Sequence, residues 1–328
     1  MKKILFAAIL VSGFFLSWAC NGPAPYSPGG HYPGGGYPVA STSPTVAATL
    51  SPTPAFIGEW GVNSPNGLAA GNGFIYVAQA DDETARVQLF DGVSHAAVTQ
   101  WIGYGTTPFQ FPDGVAVNSS GNVYVLDAGT EPNPGAAGAA VYEFGNSSSP
   151  TQVTSWKKYG SAYLNNPTGI ALDSLGNVYV ADSDNFAVEE FGPGGAAIGQ
   201  WTASFKPAAI ALDSTNNIYV VDGDHFVVWK LPSISGAGAT SFPILAGSDR
   251  FPYYGVAVDS NFNIFIADYY NSLVQVFNNG GTLISVMDGN FGGATAFTGP
   301  ADLLLSGGDI YVGDYDNGNV QIFGPDNY

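Results

Sequence analysis

Short apolar runs and tight polar turns alternate along the chain from residue 56 onward, and no window there carries the 3.6-residue apolar period of a long amphipathic helix. The cleanest stretch runs from Pro167 to Phe191, PTGIALDSLGNVYVADSDNFAVEEF. Ile170 to Leu172 is one apolar run. Asp173 to Asn177 is turn chemistry, because Asp, Ser and Asn bond their own backbone and Gly tolerates positive φ. Val178 to Ala181 is β-branched and aromatic, as strands prefer. Asp182 to Asn185 turns again, and Ala187 to Phe191 leads out.

Variants of this unit recur. First strands read NGLAA (66–70), DGVAV (113–117), TGIAL (168–172), AAIAL (208–212), YGVAV (254–258) and ADLLL (301–305). The aromatics of the second strands, Tyr76, Tyr124, Tyr179, Tyr219, Phe265 and Tyr311, are spaced 48, 55, 40, 46 and 46 residues apart. Six units of this length, each with up to four strands, predict an all-β, six-bladed β-propeller of four-stranded antiparallel blades. The sixth unit lacks a fourth strand, and Phe56–Trp60 (FIGEW) resembles Ala197–Trp201 (AIGQW). That N-terminal strand is therefore expected to close the last blade. Gly67, Gly114, Gly169, Ala209 and Gly255 begin the first strands, where blades converge on an axis and bulk does not fit; Asp302 stands there in the sixth unit.

The region before the repeats divides in two. Residues 1–20 have an export pattern: Lys2 and Lys3, an apolar run from Ile4 to Phe15, then Leu16-Ser17-Trp18-Ala19 before Cys20, the chain's one cysteine. This resembles a bacterial lipoprotein lipobox, in which the Cys becomes the acylated N-terminus, although Ser17 and Trp18 depart from the usual pattern. Residues 21–55 are rich in Pro, Gly, Ser and Thr without an acid or base, and read as a spacer. The propeller is expected over 56–328.

The motif P-x-G-[IV]-A-[LV]-D-x-x-G-N-[IV]-Y-V-A-D-x-x-N, best seen from Pro167 to Asn185, resembles the NHL repeat. The family often continues N-x-R-V-Q-x-F. Arg86-Val87-Gln88-Leu89-Phe90 keeps that, but the arginine position holds Ala187, Val227, Leu273 and Asn319 in other units. The resemblance implies a propeller, and the lost arginines remove most of the basic surface on which RNA-binding NHL domains depend.

Composition narrows the partners. The chain has 26 acids against 8 Lys plus Arg, a formal charge of −18 in 328 residues. A phosphate backbone needs a basic footprint, so nucleic acid is not an expected partner. The turns between second and third strands, with the loops leading into each blade, are expected to share one acidic and aromatic face. Its binding candidates are Tyr253, Tyr254, Tyr269, Tyr270 and Tyr315, with Asp224, Asp316 and Arg250; such a surface stacks sugars or peptide side chains, or holds a cation. The Asp that ends each second strand (127, 182, 222, 268, 314) is expected to cap its own turn instead. No catalytic motif is present, and His225 is the one candidate base on this face. No cofactor is expected beyond calcium, which oxygen donors without cysteine favour over zinc; Asp302 near the axis is its candidate ligand.

The sequence thus leads to an exported propeller, lipid-anchored at the cell envelope or, where an ordinary signal peptidase cleaves instead, secreted. It is expected to act as a non-catalytic scaffold for an extracytoplasmic protein, peptide or glycan, touching the membrane only through its anchor. The alternatives are a lyase or hydrolase like the streptogramin lyases and lactonases, and a structural envelope component.

Overall fold

A computed structural model of the chain describes residue 45 and residues 54–80, 85–129, 138–146, 151–245, 254–290 and 293–324. Cys20, Arg250 and Tyr253 lie outside these residues, as does most of the spacer. The side chain of Tyr254 is also outside them.

The described strands build six four-stranded antiparallel sheets. Blade 1 comprises Pro65–Gly71, Phe74–Gln79, Arg86–Asp91 and Ala97–Trp101. Blade 2 comprises Pro112–Val117, Val123–Asp127, Ala140–Phe144 and Gln152–Trp156, and blade 3 Pro167–Leu172, Val178–Asp182, Ala187–Phe191 and Ala197–Thr202. Blade 4 takes Pro207–Leu212, Ile218–Asp222, Val227–Leu231 and Thr240–Pro243; blade 5 takes Tyr254–Val258, Ile264–Asp268, Leu273–Phe277 and Leu283–Met287. Blade 6 is Pro300–Ser306, Asp309–Asp314 and Asn319–Phe323, with Phe56–Gly61 as its fourth strand. There Phe56 lies opposite Phe323 and Gly61 opposite Asn319, so the sheet draws on the first and last described strands. Two small hairpins not foreseen from the repeat, Gly103–Tyr104 with Thr107–Pro108 and Lys158–Tyr159 with Ala162–Tyr163, extend the loops before blades 2 and 3.

Side chains between neighbouring blades form the core. The second-strand aromatics are buried, Tyr76, Tyr219 and Phe265 completely. The innermost strands pack almost backbone to backbone: a Cβ on Gly67 would meet the Asp113 carbonyl oxygen at 2.8 Å, and one on Gly255 would meet Asp302 Cα at 2.5 Å. Glycine is therefore imposed here by the convergence of blades rather than by a turn.

A second contact locks four of the blades to the one before it. In blades 3, 4 and 5 the turn between third and fourth strands lays a positive-φ glycine on an aromatic ring of the preceding blade. A Cβ on Gly195 would sit 2.5 Å from the Trp156 ring, on Gly236 2.7 Å from Trp201 and on Gly281 2.5 Å from Phe242. Blade 1 uses His95 at this place, also at positive φ (54°). Its imidazole stacks on Trp60 of blade 6, with centroids 4.7 Å apart and planes 3° apart. His95 is thus part of the packing across the seam.

Candidate functional site

The Asp that ends the second strand reaches further than its own turn. Asp127 accepts hydrogen bonds from the backbone N–H groups of Gln110 (3.0 Å) and Phe111 (2.7 Å), in the loop leading into its blade. Asp182 does the same for Asn165, and Asp314 for Gly299, each at 2.8 Å. These buried carboxylates pin the lead-in loop to the turn between second and third strands, which makes one continuous face from two sets of loops. In blades 3, 5 and 6 an asparagine three residues on donates its side-chain amide to the same aspartate: Asn185 to Asp182, Asn271 to Asp268 and Asn317 to Asp314, each at 2.7 Å.

His225 occupies that asparagine's place in blade 4. Its Nδ1 lies 2.8 and 2.9 Å from the two carboxylate oxygens of Asp222, and its backbone N–H donates to the same group at 3.1 Å. Burial raises the Asp222 carboxyl to about 6 against the pull of His225. The histidine serves the turn as its sister asparagines do, and its imidazole remains partly exposed.

The aromatic candidates fare differently. Tyr269, Tyr270 and Tyr315 come together where the turns of blades 5 and 6 meet. The Tyr269 ring lies 5.3 Å from that of Tyr270 and 6.5 Å from that of Tyr315, both at steep angles. The Tyr269 hydroxyl donates to Asp316 Oδ2 at 2.8 Å; burial, then this bond, raises its pKa. Gly299 lies beneath, where a Cβ would come within 2.7 Å of the Tyr269 ring and 2.9 Å of the Asp316 carboxylate. The tyrosines are half-buried and Asp316 is exposed. Asp224 lies in the blade 4 turn beside His225. Between blades 3 and 4, Lys206 forms an ion pair with Asp184, which sequence reading did not single out as a pair.

On the axis, the innermost strands surround a cavity of about 150 Å³ lined by Asn66, Asp113, Thr168, Asp302 and apolar side chains. Asp302 Oδ2 accepts the Leu68 backbone N–H at 2.7 Å. Enclosure by the blades pushes the Asp302 carboxyl up to about 7. Asp113 is pushed up to about 8 by the same desolvation, reinforced by the negative charge of Asp302 and Asp127. The sequence marked Asp302 as axial; its partner Asp113 was legible as well, since it directly precedes the axial Gly114. Among the described residues no group of three or more His, Cys, Asp or Glu converges as a metal site would require, so the axial donors are two carboxyls with Asn66 beside them.

The NHL repeat family matches residues 109–132 and 164–191, which span blade 2's first two strands and most of blade 3. No curated protein sequence matches the chain. Among solved structures, a streptogramin B lyase is similar at 12% identity and a TM-score of 0.57, over 83% of this chain and 87% of that one. A structural-genomics protein of unknown function from Bacteroides thetaiotaomicron is similar at 17% identity and a TM-score of 0.58, over 87% and 75%. A virginiamycin B lyase from Staphylococcus aureus is similar at 12% identity and a TM-score of 0.53, over 83% and 89%. Identities this low speak for the fold alone. The chain is a six-bladed β-propeller in which two stretches, 109–132 and 164–191, match the NHL repeat.

Proposed function

We propose that this propeller is a non-catalytic binding scaffold that takes a protein, peptide or glycan on the face built by the lead-in loops. The observation that carries the reading is the meeting of Tyr269, Tyr270 and Tyr315 around Gly299, with the Asp316 carboxylate at their edge. Three rings with apolar faces and polar tips, held on a rigid turn, suit stacking against a sugar or a flat side chain, and an adjacent carboxylate suits its hydroxyl or amine groups. Export and lipid attachment at Cys20 belong to the same proposal and rest on the N-terminal sequence pattern. Glycan and peptide arrays probed with the protein, and capture from envelope fractions, test it. Wild type should retain a ligand that the Tyr269→Ala/Tyr270→Ala variant loses; equal retention by both would remove this site.

A second reading, a lyase or hydrolase, is favoured by one contact: His225 on the buried Asp222, an oriented imidazole at the same face. The fold it shares with the two lyases is compatible with this reading. Against it stands the asparagine found at the same place in three sister blades, which gives the histidine a role in the turn. An activity abolished by His225→Asn in a variant that still folds would favour the enzyme. A structural envelope role would leave every array blank.

A further inference from the structure

The outer edge of blade 5 differs from the other edges, and the difference points to a part of the chain that the sequence reads as an empty spacer. Four blades share a pattern on their fourth strand, in which one β-branched residue sits at a bulge and looks outward. These residues, Ile57, Val98, Val153 and Ile198, are between 47 and 55% exposed. In blade 5 the same bulge position holds Ile284. Ile284 instead packs against a buried cluster with Met287, Phe297 and Phe323. Its strand, LISVM, is buried at Leu283, Ser285 and Met287 and half-buried at the two residues between, whereas blade 1's AVTQW is exposed at its first four residues. A bare edge strand apolar on both faces would be a template for foreign strands.

One described contact reaches this edge from the spacer. The backbone N–H of Leu283 donates at 2.8 Å to the carbonyl of Thr45, the sole described residue before Pro54. Thr45 opens TVAATL (45–50), the one stretch of the spacer with strand-forming composition, set between Pro44 and Pro52. We propose that residues 45–50 dock along Leu283–Met287 as a fifth strand of blade 5. The occupant is the chain's own segment, held by main-chain hydrogen bonds as in other strand additions. The folded unit then begins at residue 45 rather than at 56.

Hydrogen exchange on the full chain tests this. Replacing 45–50 by GSGSGS should speed exchange of the Leu283 amide at least tenfold, while Ile266 and Val274 inside the same blade keep their protection. A synthetic peptide of residues 43–52 added in trans should restore the slow exchange. An independent variant guards against a loss of fold. Ile284→Lys in the native chain should release 45–50 to fast exchange, and Ile198→Lys, at the exposed equivalent, should leave that segment protected. Equal Leu283 exchange in the native and GSGSGS chains, or continued protection of 45–50 in Ile284→Lys, would overturn the proposal.

Discussion

Glu189→Gln is expected to stabilise this protein at neutral pH and to do nothing in mild acid. Glu189 and Asp182 are both buried, at 1% and 0% exposure, on adjacent strands of blade 3. Blades 5 and 6 put glutamine where blade 3 has Glu189, and Gln275 donates its amide to Asp268 at 2.7 Å. Glutamate has no such hydrogen unless it is protonated; in blade 3 its Oε2 finds no donor, and a bond to Asp182 needs a proton shared between the two carboxyls. Desolvation, then the charge of Asp182, pushes Glu189 up to about 8 from an ordinary 4.5, with Asp182 itself raised to about 6. Because the folded pKa lies above the unfolded one, the proton's stabilising contribution is complete below about 4.5 and is lost as pH rises through about 8. At pH 7 the folded chain holds a proton that the unfolded chain has released. Two and a half pH units at about 1.4 kcal/mol each put that cost at roughly 3–4 kcal/mol. Glutamine brings its own hydrogen and removes the cost. Urea unfolding of both proteins at pH 5, 7 and 8.5 reads the effect. The gain should be below about 1 kcal/mol at pH 5, roughly 3–4 at pH 7 and larger at pH 8.5, provided that unfolding stays two-state. A gain independent of pH, or a loss at every pH, would refute the shared-proton argument.

Four further outcomes are expected. His225→Asn should fold and melt within about 2 °C of wild type by differential scanning calorimetry, because asparagine makes the same bond in blades 3, 5 and 6. His95→Ala should cost about 1–2 kcal/mol in denaturant unfolding, since alanine keeps the strained positive φ and loses the Trp60 stack, while His95→Gly should recover most of the loss. Deleting residues 56–60 should lower the melting temperature of the whole propeller by more than about 10 °C, measured by circular dichroism, because it strips the fourth strand from blade 6. Millimolar calcium should raise the melting temperature of wild type more than that of Asp302→Asn; equal shifts would remove the axial cavity as a cation site.

Residues that repeat their role in every blade were the ones legible in the sequence. The strand pattern, the buried second-strand aromatics and the axial glycines all follow from one packing problem solved six times, so each copy corroborates the others. The turn aspartates were legible as caps, but their longer reach to the lead-in loops was not, because that contact spans 15 to 17 residues and depends on the blade's curvature. The departures were harder. His225 drew attention as a lone histidine, and aligning it with Asn185, Asn271 and Asn317 would have identified its place in the turn. Glu189 was passed over because an acid in AVEEF reads as surface, when its register partner in LVQVF and NVQIF is a buried glutamine. The tyrosines were legible as a group: Tyr269, Tyr270 and Tyr315, with Asp316, were read on one face from adjacent repeats, but the ring contacts and the Tyr269–Asp316 bond depend on how the two turns meet.

Blade 6 has a consequence for the order of events in the molecule's birth. Phe56 and its partner Phe323 stand 267 residues apart. Joining them closes a loop whose entropy costs on the order of 5 kcal/mol before any contact repays it. A ribosome adding about 5–20 residues per second needs roughly 13 to 50 s to make the partner after the first strand has emerged. During that interval FIGEW is an apolar strand with both edges open, and five blades can zip in sequence while the sixth waits. The first described strand of the chain is the last to be satisfied in its own sheet. That delay gives chaperones their longest opportunity at the segment that finally joins the ring.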